Sequence, residues 1–194
     1  MVCVVRRFDK REVSTALFNA FEQQYRRHCA GAQSDHGVRA GYVRAQYKRS
    51  DYIFVAIDDT NRYYRNGAQT RSGALPKVCG FLFLQHNAYH AHVTKCAYID
   101  IVCSADRTGR LLLDAAEDFT KKELGLDCVQ LSALDHVVCY YAKRGYRKTD
   151  GKHTCDDDAK IVHKGTAENG YRMTKCVRNG KGVSTKILFP KSCR

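Results

Sequence analysis

The chain has 194 residues, of which 44% are hydrophobic and 27% charged. That composition suits one globular domain and excludes a disordered acidic chain or a collagen-like repeat. Lys+Arg 33 against Asp+Glu 20 give a formal net charge of +13, so anions are expected among its partners or substrates. The longest apolar stretch, Val78 to Leu84, falls far short of the ~20 residues a membrane-spanning helix requires.

Residues 2–8 (VCVVRRF) read as a short strand. Asp9 and Glu12 have capping-box spacing, which predicts a helix with Asp9 as its N-cap. Val13, Leu17, Phe21 and Tyr25 then recur every four residues, and Gly31 supplies a stop. Residues 32–50 are polar, basic and glycine-punctuated, a loop with room for one short helix. Tyr52–Ile57, Val78–Gln85 and Cys96–Cys103 read as three strands of an antiparallel meander, because no helix-length segment separates them. Leu112, Ala115, Ala116 and Phe119 mark a second helix, ended by Gly125. Cys128–Ala133 is a strand, 135–144 a short helix ended by Gly145, and Tyr146 opens another strand. Apparent strands at 171–177 and 183–189 finish the chain, which shows no internal repeat and no linker.

None of the ten cysteines is spaced as C-x-x-C, which argues against a zinc ribbon or a thioredoxin-type site. Most lie in apolar runs such as VCVV and KVCGFLF, where a reduced cysteine behaves as a small hydrophobe. The N-terminus MVCVVRRF reaches charge too early for a secretory signal. An intracellular, cytoplasmic or nuclear, reducing environment is therefore expected, with no disulfide framework. Cys155, His163 and Cys176 match no standard zinc spacing, and no metal site is expected. From Lys160 to Arg194 nine Lys/Arg face the single acid Glu168, either a solvated extension or an anion-contacting surface.

The centre of the chain carries the chemistry. The strand YIDIVCS (98–104) passes through ADRTGR into a helix. Backbone N–H groups at such a helix N-terminus, with Arg107, Thr108, Gly109 and Arg110 beside them, form a ready anion site. Asp100 is a carboxylate within an apolar strand, where an unpaired charge is costly. It is either functional, as a general base, or held in an ion pair, with His86 and His136 in reserve for the base. Thirty residues on comes Tyr140-Tyr141-Ala142-Lys143-Arg144-Gly145-Tyr146. Here the chain resembles the GCN5-related N-acetyltransferase (GNAT) superfamily, which pairs a pyrophosphate loop after its fourth strand with a helix ending like F-Y-x-x-x-G-F. The resemblance runs from residue 2 to about residue 150. The family loop usually reads Q/R-x-x-G-x-G/A; Ser104, Arg107 and Gly109 stand at its three signature positions, so only the last is kept. Leu134 or Asp135 replaces an Asn common at the start of the last helix. YIDIVCS and GYRMTKCV are also similar to divergent members from large DNA viruses.

The resemblance implies one α/β (α+β) domain over 1–194. Its central, mostly antiparallel mixed sheet has helices on both faces, splayed fourth and fifth strands, and a basic C-terminal extension. It implies acetyl-CoA as cosubstrate, its pantetheine arm bonded by the backbone of Ile101, Val102 and Cys103 and its pyrophosphate held on Arg107, Thr108, Gly109 and Arg110. A primary amine (a protein lysine, an N-terminus or a small amine) attacks the thioester directly. Tyr141 occupies the family's proton-donor position; Tyr140, whose place is normally a core aromatic, is the alternative. Against this stands a binding module on the same fold, with catalysis lost, that uses the basic segments, Arg62-Tyr63-Tyr64-Arg65 among them, for nucleic acid or another acidic partner.

Overall fold

The computed structural model describes residues 3–29, 41–58, 77–86, 96–105, 108–134, 137–148 and 171–177. The chain divides into two compact units, Met1–Gln85 with Asp100–Ala116, and His86–Ile99 with Glu117–Arg194. Two elements contribute residues to both: the strand β4 (Cys96–Ser104) and the helix α3 (Thr108–Lys122).

In the first unit β1 (Cys3–Asp9) pairs antiparallel with β2 (Tyr52–Asp58), and β2 with β3 (Val78–Gln85); β4 follows β3 in the strand order. Every residue of β2 from Ile53 to Asp58 is buried. Since successive side chains point to opposite faces, both faces of this strand are out of solvent. The helix α1 (Thr15–His28) buries Leu17, Phe21, Gln24 and Tyr25 on one side. Phe21 is fully buried, its ring 5.0 Å from Phe81 and 5.7 Å from Phe83, and burying one such side chain is worth about 1.5–3 kcal/mol.

The helix begins later than its spacing predicts. The Asp9 N–H does donate to Glu12 Oε2 at 2.8 Å, but this closes a single 3-10 turn, Lys10–Glu12. Val13 then returns to extended backbone, and Ser14 caps α1 by accepting from the Leu17 N–H at 3.1 Å. The short helix allowed for in 32–50 is α2 (Tyr42–Arg49). Gly41 precedes it at φ +90°, a conformation that suits glycine. The expected stop at Gly31 lies outside the described residues.

In the second unit Cys96–Ile99 of β4 pairs parallel with Cys128–Leu131 of β5 (Cys128–Ala133), and the paired register ends there. The strand β7 (Tyr171–Cys176) runs antiparallel to β5 and to the two-residue β6 (Arg147–Lys148). Parallel neighbours need a crossover, and α3 supplies it between β4 and β5. The mixed, mostly antiparallel sheet is as expected. The helix α4 (Val138–Lys143) ends at Gly145, φ +89°. Asp135, His136 and the proposed strand 183–189 lie outside the described residues.

The cysteines overturn the expectation that all are reduced. Cys29 is bonded to Cys103 in the first unit and Cys96 to Cys128 in the second; Cys139 and Cys176 are disulfide-bonded as well. The Cα–Cα distances of 5.8 and 4.4 Å suit such bonds. Apolar surroundings identify a buried cysteine but carry no information about a partner 74 residues away. That partner is set by the tertiary fold.

Candidate functional site

The first unit holds the strand, turn and helix N-terminus expected at residues 98–110. The Ala105 N–H donates to the Cys79 carbonyl at 2.9 Å, and the Thr108 N–H to the Ala105 carbonyl at 3.2 Å. The helix starts one residue earlier than a loop glycine would require, so Gly109 and Arg110 belong to the first turn of α3 rather than to the loop before it. Their backbone N–H groups are among those a helix leaves without an intrahelical acceptor. The Thr108 side chain does not point the same way. Its hydroxyl reaches the carbonyls of Ala105 (2.6 Å) and Cys79 (3.1 Å), and the residue is buried. With its N–H and hydroxyl both engaged, Thr108 holds the turn and leaves the N–H groups of Gly109 and Arg110 to face an anion. The Arg110 side chain is exposed and lies 3.6 Å from Asp114 one turn on, a surface pair worth a few tenths of a kcal/mol. Arg107 lies outside the described residues.

Of Ile101, Val102 and Cys103, two point their backbone at β3. A Cβ built on Gly80 meets the Cys103 carbonyl oxygen at 2.8 Å, which places that carbonyl against β3, as the Ala105 N–H is. Strand alternation then puts Ile101 on the same side and turns the N–H and C=O of Val102 away from β3. Ile101 and Cys103 are buried side chains of the core.

Asp100 stands on the same strand. Burial pushes its carboxyl up to about 7, against a hydrogen bond from Gln85 and the charge of Arg49, while Asp51 adds to the rise. Its Oδ2 has no hydrogen-bond partner among the described residues. Of the two readings left open by the sequence, a closed ion pair is not found among the described residues around it. A carboxyl titrating near neutral pH is suited to general-base work.

The second unit carries the tyrosines. Tyr141 is buried, its ring 5.3 Å from Tyr140 and 5.7 Å from Tyr146 in edge-on contacts. Burial raises its phenol well above the usual value, so it keeps its proton. Tyr140 is the exposed one, at 43%, although its place in the motif is normally a core position. Beneath them Glu117 accepts from Tyr146 Oη (3.0 Å) and from Lys175 Nζ (2.5 Å), with Arg144 4.0 Å away.

Two supports were not singled out in the sequence. Gln24, buried on α1, donates from Nε2 to the Cys79 carbonyl at 3.0 Å. That one oxygen therefore collects α1, the turn after β4 and the start of α3. The available signal was a polar residue three positions after Phe21, on the apolar face of a helix. Glu117 gave no signal, because its partners come from distant segments. Among the described residues no group of three His, Cys, Asp or Glu is placed to hold a metal.

No protein-family model matches the chain, and no curated protein matches it in sequence. Solved structures do match in fold. An acyl-CoA N-acyltransferase from Pseudomonas aeruginosa aligns with a TM-score of 0.57 at 16% identity, over 90% of this chain and 99% of that one. A GNAT-family acetyltransferase from Staphylococcus aureus aligns with a TM-score of 0.54 at 9% identity, over 90% and 100%. The NatC complex bound to a Gag peptide and CoA aligns with a TM-score of 0.54 at 13% identity, over 91% and 99%. The chain has the fold of the GCN5-related N-acetyltransferases.

Proposed function

We propose that the protein is an acetyl-CoA-dependent N-acetyltransferase that acts on a primary amine. The observation that carries this reading is Asp100, whose buried Oδ2 has no partner among the described residues, on the strand that runs into the N-terminus of α3. The residues present fit the donor. The first-turn N–H groups of Gly109 and Arg110 take the pyrophosphate, with Arg107 and Arg110 adding charge, while Thr108 holds the turn through its own bonds to Ala105 and Cys79. The backbone of Val102, turned away from β3, bonds the pantetheine arm, and Ile101 and Cys103 serve by fixing that strand against Gly80. When bound, acetyl-CoA supplies an activated thioester.

The chain's own groups supply the rest. Asp100 accepts a proton from the acceptor's ammonium group, leaving a neutral amine to attack the carbonyl carbon. The Val102 N–H stabilises the oxyanion that develops. Tyr141 gives its proton to the departing sulfur, the extra proton of the new amide nitrogen passes to solvent, from which the phenol is restored, and no covalent enzyme intermediate is needed. The acceptor is a protein lysine, an N-terminus or a small amine.

Calorimetric titration of the full chain with acetyl-CoA tests the reading. Saturable binding at millimolar concentration or below is expected, and its absence would overturn the proposal.

A further inference from the structure

Cys3 of β1 and Cys79 of β3 are both free thiols, and their Sγ atoms lie 2.8 Å apart, with the Cys3 thiol donating to Cys79. They meet across β2, the strand that pairs with both: Cys3 is in register with Asp58 of β2, and Val78 with its neighbour Ile57. Cys79 is 3% exposed while Cys3 is half-buried. Burial and the bond from Cys3 push the Cys79 thiol up to about 12, and Cys3, the more accessible sulfur, is the one an oxidant reaches first. The same unit already contains one closed pair, Cys29–Cys103. The backbone of Cys79 is also tied to the candidate site, since its carbonyl accepts from Gln24, Ala105 and Thr108.

We propose that Cys3 and Cys79 form a reversible dithiol–disulfide site whose closure is transmitted through the Cys79 carbonyl to the turn between β4 and α3. The oxidant is a disulfide of low molecular mass. The Cys3 thiolate attacks one of its sulfurs, breaking that S–S bond, forming a mixed disulfide and expelling one thiolate, which takes up the proton Cys3 has lost. Cys79 then attacks Cys3 Sγ, its proton leaving with the second thiol released. Two protein thiols are oxidised and one small disulfide is reduced to two thiols. The protein sulfurs close from 2.8 Å to about 2.05 Å, an approach of under about 1 Å between the two sulfurs.

Equilibration of the full chain in glutathione buffers, from reduced to oxidised, tests this. Unreduced digests are read by mass spectrometry, and exchange of the Ala105 amide is followed in parallel. A Cys3–Cys79 linked peptide should accumulate, disappear on reduction, and slow Ala105 exchange at least threefold. Cys3→Ser should abolish both effects, and because it retains Cys29–Cys103 the difference isolates the new bond. Glutathione carried on Cys3 with no internal link would overturn the site. A link that leaves Ala105 exchange unchanged would overturn its transmission to the turn. Neither readout depends on acetyl-CoA binding.

Discussion

Replacing Asp100 by Asn removes a buried carboxyl while keeping its shape, and the consequences can be worked out with their sign. The folded-state value near 7 stands about three units above the 3.8 of an ordinary Asp. The folded protein therefore holds a proton that the unfolded chain has released. Its contribution to stability is complete below about pH 4, erodes as pH rises, and is lost above about pH 7. Each unit corresponds to about 1.4 kcal/mol, giving a ceiling of about 4 kcal/mol, of which about 2–3 kcal/mol falls between pH 5 and pH 8. Urea unfolding at these two pH values should show the wild-type protein weakening over that interval and Asp100→Asn weakening less by that amount. In the proposed reaction the same group must be deprotonated to act. Wild-type kcat/KM should accordingly rise with an apparent pKa near 7, and the variant should lose that limb along with at least ~100-fold in rate. Parallel unfolding curves for the two proteins would refute the burial argument. A variant that kept the wild-type pH–rate limb would refute the assignment of the base.

Three further outcomes follow from particular contacts. Gly80→Ala drives a Cβ to 2.8 Å from the Cys103 carbonyl and 3.0 Å from Ser104; neither neighbour is a flexible side-chain end, so a loss of about 1–3 kcal/mol is expected in chemical denaturation. Glu117→Ala leaves Lys175 and the Tyr146 hydroxyl without their partner and should cost about 1–3 kcal/mol, read as a fall in Tm. Tyr141→Phe should lower kcat by at least ~100-fold with little change in KM for acetyl-CoA, while Tyr140→Phe stays near wild type. The opposite result in a thiol-release assay would move the proton donor to the exposed ring.

Much of the fold was legible because it rests on local signals. β2, β3, β4 and β5 each carry an apolar run with turn chemistry at its ends, and α1 and α3 carry a clear helical period. Misreadings arose where a local signal was ambiguous about what it closes. The Asp9–Glu12 spacing formed its bond but capped a 3-10 turn, since nothing in the spacing says how many turns follow. Gly109 read as a loop residue and is helical, because glycine tolerates both conformations. Within the candidate site, Asp100 stood out from its strand by polarity alone. Gln24 and Glu117 did not, for their roles are defined by atoms on other elements.

The incomplete glycine signature can be weighed on the same physical footing. What a helix N-terminus offers an anion is its unpaired N–H groups, and these are present whatever side chains precede them. Glycines in such a loop serve mainly to let a ligand approach the backbone and to permit tight turns. Here the turn after β4 is held by other means: the Cys79 carbonyl receives Ala105, Thr108 and Gln24 together, and the Cys29–Cys103 bond ties the end of α1 to the end of β4. A loop that has lost two signature residues can therefore retain the donors that matter for binding, which is why acetyl-CoA titration, rather than motif counting, tests whether the loop still holds the donor.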